Sequence, residues 1–110
     1  MSDVLVEIGS EAFYGSRSLK SVITPDSIAK IGTSAFCGCT SLEEFTLGSG
    51  AAYLYGYAFS GCNKLGTFNY NGTINQWASV RKYESPFRGS SVRTINCTNG
   101  KVSLSFTEYL

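Results

Sequence analysis

An α/β repeat solenoid, with a short one-sided parallel sheet and short helical turns on the other side, is the fold class this sequence predicts. Three observations carry the prediction. A motif recurs every 23 residues without gaps, each copy ends in an apolar spacing that suits a strand, and a glycine stands at the same place in every copy. A fixed period of this length is the mark of a chain that stacks one structural unit on the next.

The first coil, residues 8–30, opens Ile8-Gly9-Ser10-Glu11-Ala12-Phe13-Tyr14-Gly15, and the second, residues 31–53, opens Ile31-Gly32-Thr33-Ser34-Ala35-Phe36-Cys37-Gly38. These coils share 8 of 23 residues, and the second shares 6 with the third, residues 54–76; chance would supply about one or two. Ala12, Ala35 and Ala58 suit a close approach of backbones, and Phe13, Phe36 and Phe59 should stack as a ladder of rings down the core. Gly15, Gly38 and Gly61 fall where a helical turn capped by Ser10 or Thr33 must end in a left-handed residue, a conformation glycine adopts without strain. After each turn come Leu19, Val22 and Thr24, then Leu42, Phe45 and Leu47, then Leu65, Phe68 and Tyr70. Alternation through the last two positions of each set predicts a strand with one face buried.

Past Tyr70 the period breaks, and residues 77–110 are expected to hold an irregular fourth coil and a cap. Pro86-Phe87-Arg88-Gly89 restores the turn, and Val92, Ile95 and Cys97 restore the strand. Between them, Thr73 and Gln76 have the spacing of a capping box, with Ile74, Trp77 and Ala78 on one face of a short helix. Asn99-Gly100 then predicts a two-residue turn that folds Val102 to Phe106 back antiparallel. At the other end Ser2-Asp3 aligns with Pro25-Asp26, so the chain is expected to begin halfway round a coil with no strand before it, as a fragment or a very small solenoid with an open edge.

The IGxxAFxGCxxL core and its period, closest over residues 3 to 70, resemble the BspA-like leucine-rich repeats, and the GTxxQW run at Gly72–Trp77 is similar to a closing segment of that family. Departures are Ser16, where the family favours Cys, and Tyr55 and Gly56, where the first two copies have Gly and then Ser or Thr. The resemblance implies a non-catalytic protein-interaction module of a bacterial surface or secreted protein, adhesive in some members, with host extracellular proteins as partners. It equally accommodates a structural spacer or C-terminal cap of a larger surface protein without its own ligand. In a bacterial chain the sequons at Asn71 and Asn96 carry no meaning.

Composition narrows the chemistry. The 110 residues suit one domain, residues 1–110, and about a quarter of them are Leu, Ile, Val or Phe, enough for a core. The chain has no histidine, which removes a histidine general base, a Ser-His-Asp triad and every imidazole metal site. Net charge is +1, divided unevenly between residues 1–70 and residues 71–110, but the difference is too small to name a partner. No signal segment, anchor or membrane-spanning run is visible, and no membrane insertion is expected. Cys37, Cys39, Cys62 and Cys97 match no familiar ligand spacing; Cys39 and Cys62 share a repeat column and read as small core residues with free thiols. Neither the serines nor the pair Glu43-Glu44 finds a catalytic partner, so no catalytic residue, metal or cofactor is expected. Arg81, Lys82, Arg88, Arg93 and Lys101, with Tyr83 and Phe87 nearby, read as a solvated face, not a nucleic-acid site.

Two surfaces remain as candidates. If Val22, Phe45, Phe68 and Ile95 point inward, then Ser21, Ile23, Glu44, Thr46, Thr67, Asn69, Thr94 and Asn96 line the open face, a mostly small and polar surface suited to weak, multivalent protein contact. Tyr53, Tyr55 and Tyr57 alternate along one edge of the third coil, either outward as an aromatic contact patch or packed over the Trp77 helix. A monomer is expected, with self-association through open edges as the alternative.

Overall fold

Four coils stack with their strands in register in the computed structural model, which describes residues 6–110. The strands expected from the repeat are all present and parallel in chain order: β2 (Ser21–Ile23), β4 (Glu44–Leu47), β6 (Thr67–Tyr70) and β8 (Thr94–Cys97). Equivalent residues stand beside one another, Val22 to Phe45 to Phe68 to Ile95. These four side chains point inward, where Phe45, Phe68 and Ile95 are wholly buried.

A second parallel sheet of four strands corrects the expectation of one. It is built from β1 (Val6–Ile8), β3 (Ile28–Ile31), β5 (Tyr53–Leu54) and β7 (Arg81–Lys82). The chain is therefore already in a strand at Val6, although that strand belongs to the second sheet and not to the one read from the repeat. The alignment of Ser2-Asp3 lies outside the described residues. Strands of two to four residues are too short to show an alternation of their own. They exist because every coil repeats the same corner, so each finds a partner in the next coil.

The turns between the sheets are not helical. In the second coil the N–H groups of Ala35, Cys37 and Cys39 bond carbonyls three residues back, while those of Ser34, Phe36 and Gly38 donate to Gly56, Ala58 and Ser60 of the next coil. Every second donor thus runs along the stack. A helix would aim all its donors along its own axis and leave the neighbouring coil's carbonyls unpaired. Left-handed residues make the alternation possible: Gly15, Gly38, Gly61 and Gly89 at φ 68° to 75°, as the repeat requires, and also Glu11, Ser34 and Tyr57 near 58°. Ser10 and Thr33 accordingly precede a left-handed residue and cap no helix.

Phe13, Phe36, Phe59 and Phe87 form the expected ladder, extended to the fourth coil, with near-parallel rings 5.1, 5.7 and 5.6 Å apart. Phe45 and Phe68 meet it edge-on from the sheet. The fourth coil lengthens the step from Leu54 to Lys82 to make room for α1 (Ile74–Ser79). Its capping box is formed, Gln76 N–H donating to Thr73 Oγ1 and Thr73 N–H to Gln76 Oε1. Trp77 of this helix packs on Phe68, Tyr70 and Phe87, but Ala78 is exposed, off the face assigned to it.

β9 (Gly100–Ser103) folds back antiparallel on β8. The turn is one residue earlier than expected: Cys97 pairs with Gly100, leaving Thr98-Asn99 as the two-residue loop. Asn99 Oδ1 accepts from the Ile74 N–H at the start of α1. A side chain on Gly100 would come within 2.9 Å of Ile74 Cδ1, and its φ of 150° suits glycine alone. The backbone conformation selects that glycine first, and the Ile74 side chain of α1 crowds the same place. A last helix, α2 (Phe106–Tyr109), replaces the end of the expected strand; Glu108 accepts from both the backbone N–H and the hydroxyl of Ser105. Its Tyr109 carbonyl accepts the Gly89 N–H of the fourth turn.

Candidate interaction surfaces

Outward rows of the larger sheet follow from its register. One row runs Ser21, Glu44, Thr67 and Thr94, and beside it run Ile23, Thr46, Asn69 and Asn96. The antiparallel β9 lengthens both, with Ser103 opposite Thr94 and Lys101 opposite Asn96. Sequence reasoning missed these two because it drew the face from the parallel strands alone and left out the returning strand. All eight predicted residues share this face, and hydrogen bonds tie its centre together. Asn96 Nδ2 donates to Asn69 Oδ1 at 3.0 Å, and Asn69 Nδ2 donates to Glu44 Oε2 at 3.0 Å and to Thr46 Oγ1 at 3.3 Å. Parallel strands about 4.8 Å apart hold the amides at that spacing. The face begins at an apolar end, where Ile23 is 76% exposed, and finishes at the cation Lys101.

Tyr53 opens β5 of the second sheet and Tyr55 directly follows that strand. They stack on each other at 5.9 Å, and Tyr55 stacks on Tyr83 of the next coil at 5.3 Å. Neither ring pairs with Trp77, whose aromatic partners are Phe68, Tyr70 and Phe87. Tyr57 is half-buried in the turn and stands outside the stack. Lys30 Nζ lies 5.6 Å from the centre of the Tyr53 ring. Sequence reasoning missed Tyr83 as the third ring because the swollen coil puts it 28 residues after Tyr55 where the repeat would put it 23.

The basic residues do not converge. Lys82 Nζ donates to the carbonyls of Trp77 and Val80 and sits 4.6 Å from the Trp77 ring, and burial lowers its pKa. Arg93 donates to the carbonyls of Ser90 and Val92 and lies 3.7 Å over Tyr109. Phe87, named beside them, is in the core. Cys39 and Cys62 are buried, free and in one column, as their repeat position requires. Burial raises the pKa of Cys39, and pushes that of Cys62 up to about 12, aided by the neighbouring Cys39. Among the described residues no three His, Cys, Asp or Glu side chains are grouped to hold a metal ion, and no helix is long and apolar enough to cross a membrane.

Comparison with protein families matches residues 1–105 to the BspA type leucine rich repeat region, in six copies. The chain belongs to this family. Comparison with curated proteins finds no significant match. Two solved structures resemble the chain. One is a leucine-rich repeat protein from Bacteroides capillosus, 32% identical at a TM-score of 0.68, aligned over 84% of this chain and 62% of that one. The other is the T. pallidum leucine rich repeat protein, 27% identical at a TM-score of 0.61, aligned over 82% of this chain and 51% of that one. This BspA-type chain thus spans less than two thirds of either relative. Leucine-rich repeats generally serve as protein-interaction modules and are generally not enzymes.

Proposed function

We propose that this BspA-type chain is a non-catalytic protein-interaction module of a bacterial surface or secreted protein, adhesive in function, which meets its partner on the open face of the larger sheet. The observation that carries the reading is the hydrogen-bonded column Glu44–Asn69–Asn96, which holds an outward polar surface in one arrangement before any partner arrives. A pre-organised surface loses little entropy on binding. The same face has no Trp, Tyr or Arg in its rows, so each copy binds weakly and avidity across copies supplies the strength. The absence of histidine supports the non-catalytic part. The test is retention of host extracellular matrix proteins on the 110-residue protein, shown singly and on a multivalent carrier. Multivalent retention that is lost in Glu44→Lys and Asn69→Ala supports the proposal. Tight binding by the single copy, or retention indifferent to both substitutions, refutes it.

A second reading, a spacer or C-terminal cap without its own ligand, draws on one observation. β9 covers the last parallel strand and α2 covers the last turn through Gly89, so this end of the stack is closed. It expects no retention in either format.

A further inference from the structure

The second sheet carries a cleft of about 270 Å³ whose wall, floor and rim come from different coils. Tyr55 forms the wall. In its column the two preceding coils have Gly32 and Gly9, while the following coil has Tyr83 stacked on it. The ring has Tyr53 beside it on its own coil and Tyr83 on the following one, and toward the preceding coil it shares the cleft with the side-chain-free backbone of Gly32. Among the described residues an added Cβ at Gly9 would meet nothing within 4 Å, whereas one at Gly32 would strike the Ser10 backbone N at 2.6 Å. Glu7 and Lys30, neighbours in register, line this floor together with Ser10 and Thr33.

We propose that this cleft binds one pyranose ring of a glycan. An aromatic face is electron-rich at its centre and attracts the polarised C–H groups on the flat side of a sugar ring. Around such a ring hydroxyls radiate outward and need donors and acceptors together, which one carboxylate, one ammonium and two hydroxyls supply. Charge argues against a phosphorylated ligand, since Glu7 offsets the single cation Lys30. The volume is at the small end for ligand sites and suits one ring, with the remainder of the glycan outside. An open cleft of this kind binds at about 1–10 mM for an isolated sugar.

The site is independent of the open face of the larger sheet, and its test is separate. The ¹⁵N-labelled protein is titrated with methyl β-glucopyranoside, methyl β-galactopyranoside and N-acetylglucosamine, with adenosine as a stacking ligand of another class. Saturable shifts of the Gly9 and Gly32 amides with a pyranoside are expected. Gly9→Leu adds a side chain to the floor at a position where a Cβ is free of contact among the described residues, and should weaken binding at least about tenfold in a protein that still folds. Tyr55→Phe keeps the ring and should bind within about twofold of the parent, while Tyr55→Ala should lose binding. The proposal is overturned if no pyranoside moves those amides, if adenosine saturates them where sugars do not, or if Gly9→Leu binds as well as the parent.

Discussion

The Cys62 thiol donates to the Phe36 carbonyl of the preceding coil at 3.0 Å, and the same carbonyl accepts the Cys39 N–H. Cys39 repeats the contact one coil earlier, on Phe13 at 3.1 Å. Each thiol occupies the second acceptor position of a carbonyl that has left water, and so links two coils at the foot of the phenylalanine ladder. The column continues with a hydroxyl in the fourth coil, where Ser90 Oγ accepts from the Val92 N–H.

Thiol reactivity should divide along this column. Cys37 and Cys97 are half-buried and Cys39 and Cys62 are buried, so a thiol reagent in native buffer should label the first two well before Cys39 or Cys62. All should react quickly in denaturant. Labelling of Cys62 as fast as Cys37 in the native protein would contradict the packing described.

Alkaline pH should destabilise the fold through Cys62. Its ordinary value of 9.0 rises to about 12 on burial, so between those values the native thiol keeps a proton that the unfolded chain has released. Stability is then fully present below about pH 9 and falls as pH rises toward 12. Urea midpoints measured across that interval should decline more steeply in the parent than in Cys62→Ser. Identical slopes would count against a buried thiol.

The phenylalanine ladder predicts unequal losses. Phe36 is wholly buried between Phe13 and Phe59, whereas Phe13 is 39% exposed at the end of the ladder. Phe36→Ala should cost about 3–5 kcal/mol, enough to unfold a domain of this size, and Phe13→Ala clearly less. Denaturant unfolding of the two variants separates the outcomes, and equal losses would be inconsistent with an end-to-end stack.

Two glycines with the same chemistry should respond in opposite directions to alanine. A Cβ at Gly50 would overlap the Asp26 carbonyl, but one at Gly66 would meet nothing within 4 Å. Gly50→Ala should therefore destabilise by about 1–3 kcal/mol as backbones are forced apart. Gly66→Ala should be neutral or stabilise by up to about 1 kcal/mol, through a less flexible unfolded chain. Thermal melts of both variants against the parent provide the check.

Much of the open face was legible because its cause is local. Val22, Phe45, Phe68 and Ile95 must turn toward the core, so their neighbours in the strand must turn outward, and the structure puts all eight expected residues there. Asn69 and Asn96 were readable as members of the face, yet their mutual hydrogen bond was not, since it depends on rotamers chosen after the coils stack. The tyrosine stack divided in the same way. Tyr53 and Tyr55 were visible as alternating residues, but Tyr83 entered only through a coil whose length departs from the period.

The sequence by itself determined the repeat, the buried ladder, the order of the principal strands and the Trp77 helix, because each follows from periodicity, side-chain volume or capping within a few residues. Tertiary structure alone decided the second sheet, the alternation of turn donors between coils, the hairpin register and the glycine-floored cleft beside Tyr55. These depend on which backbone groups a neighbouring coil leaves unpaired and how closely it approaches. A short strand or a missing side chain acquires that meaning only when the coils are stacked.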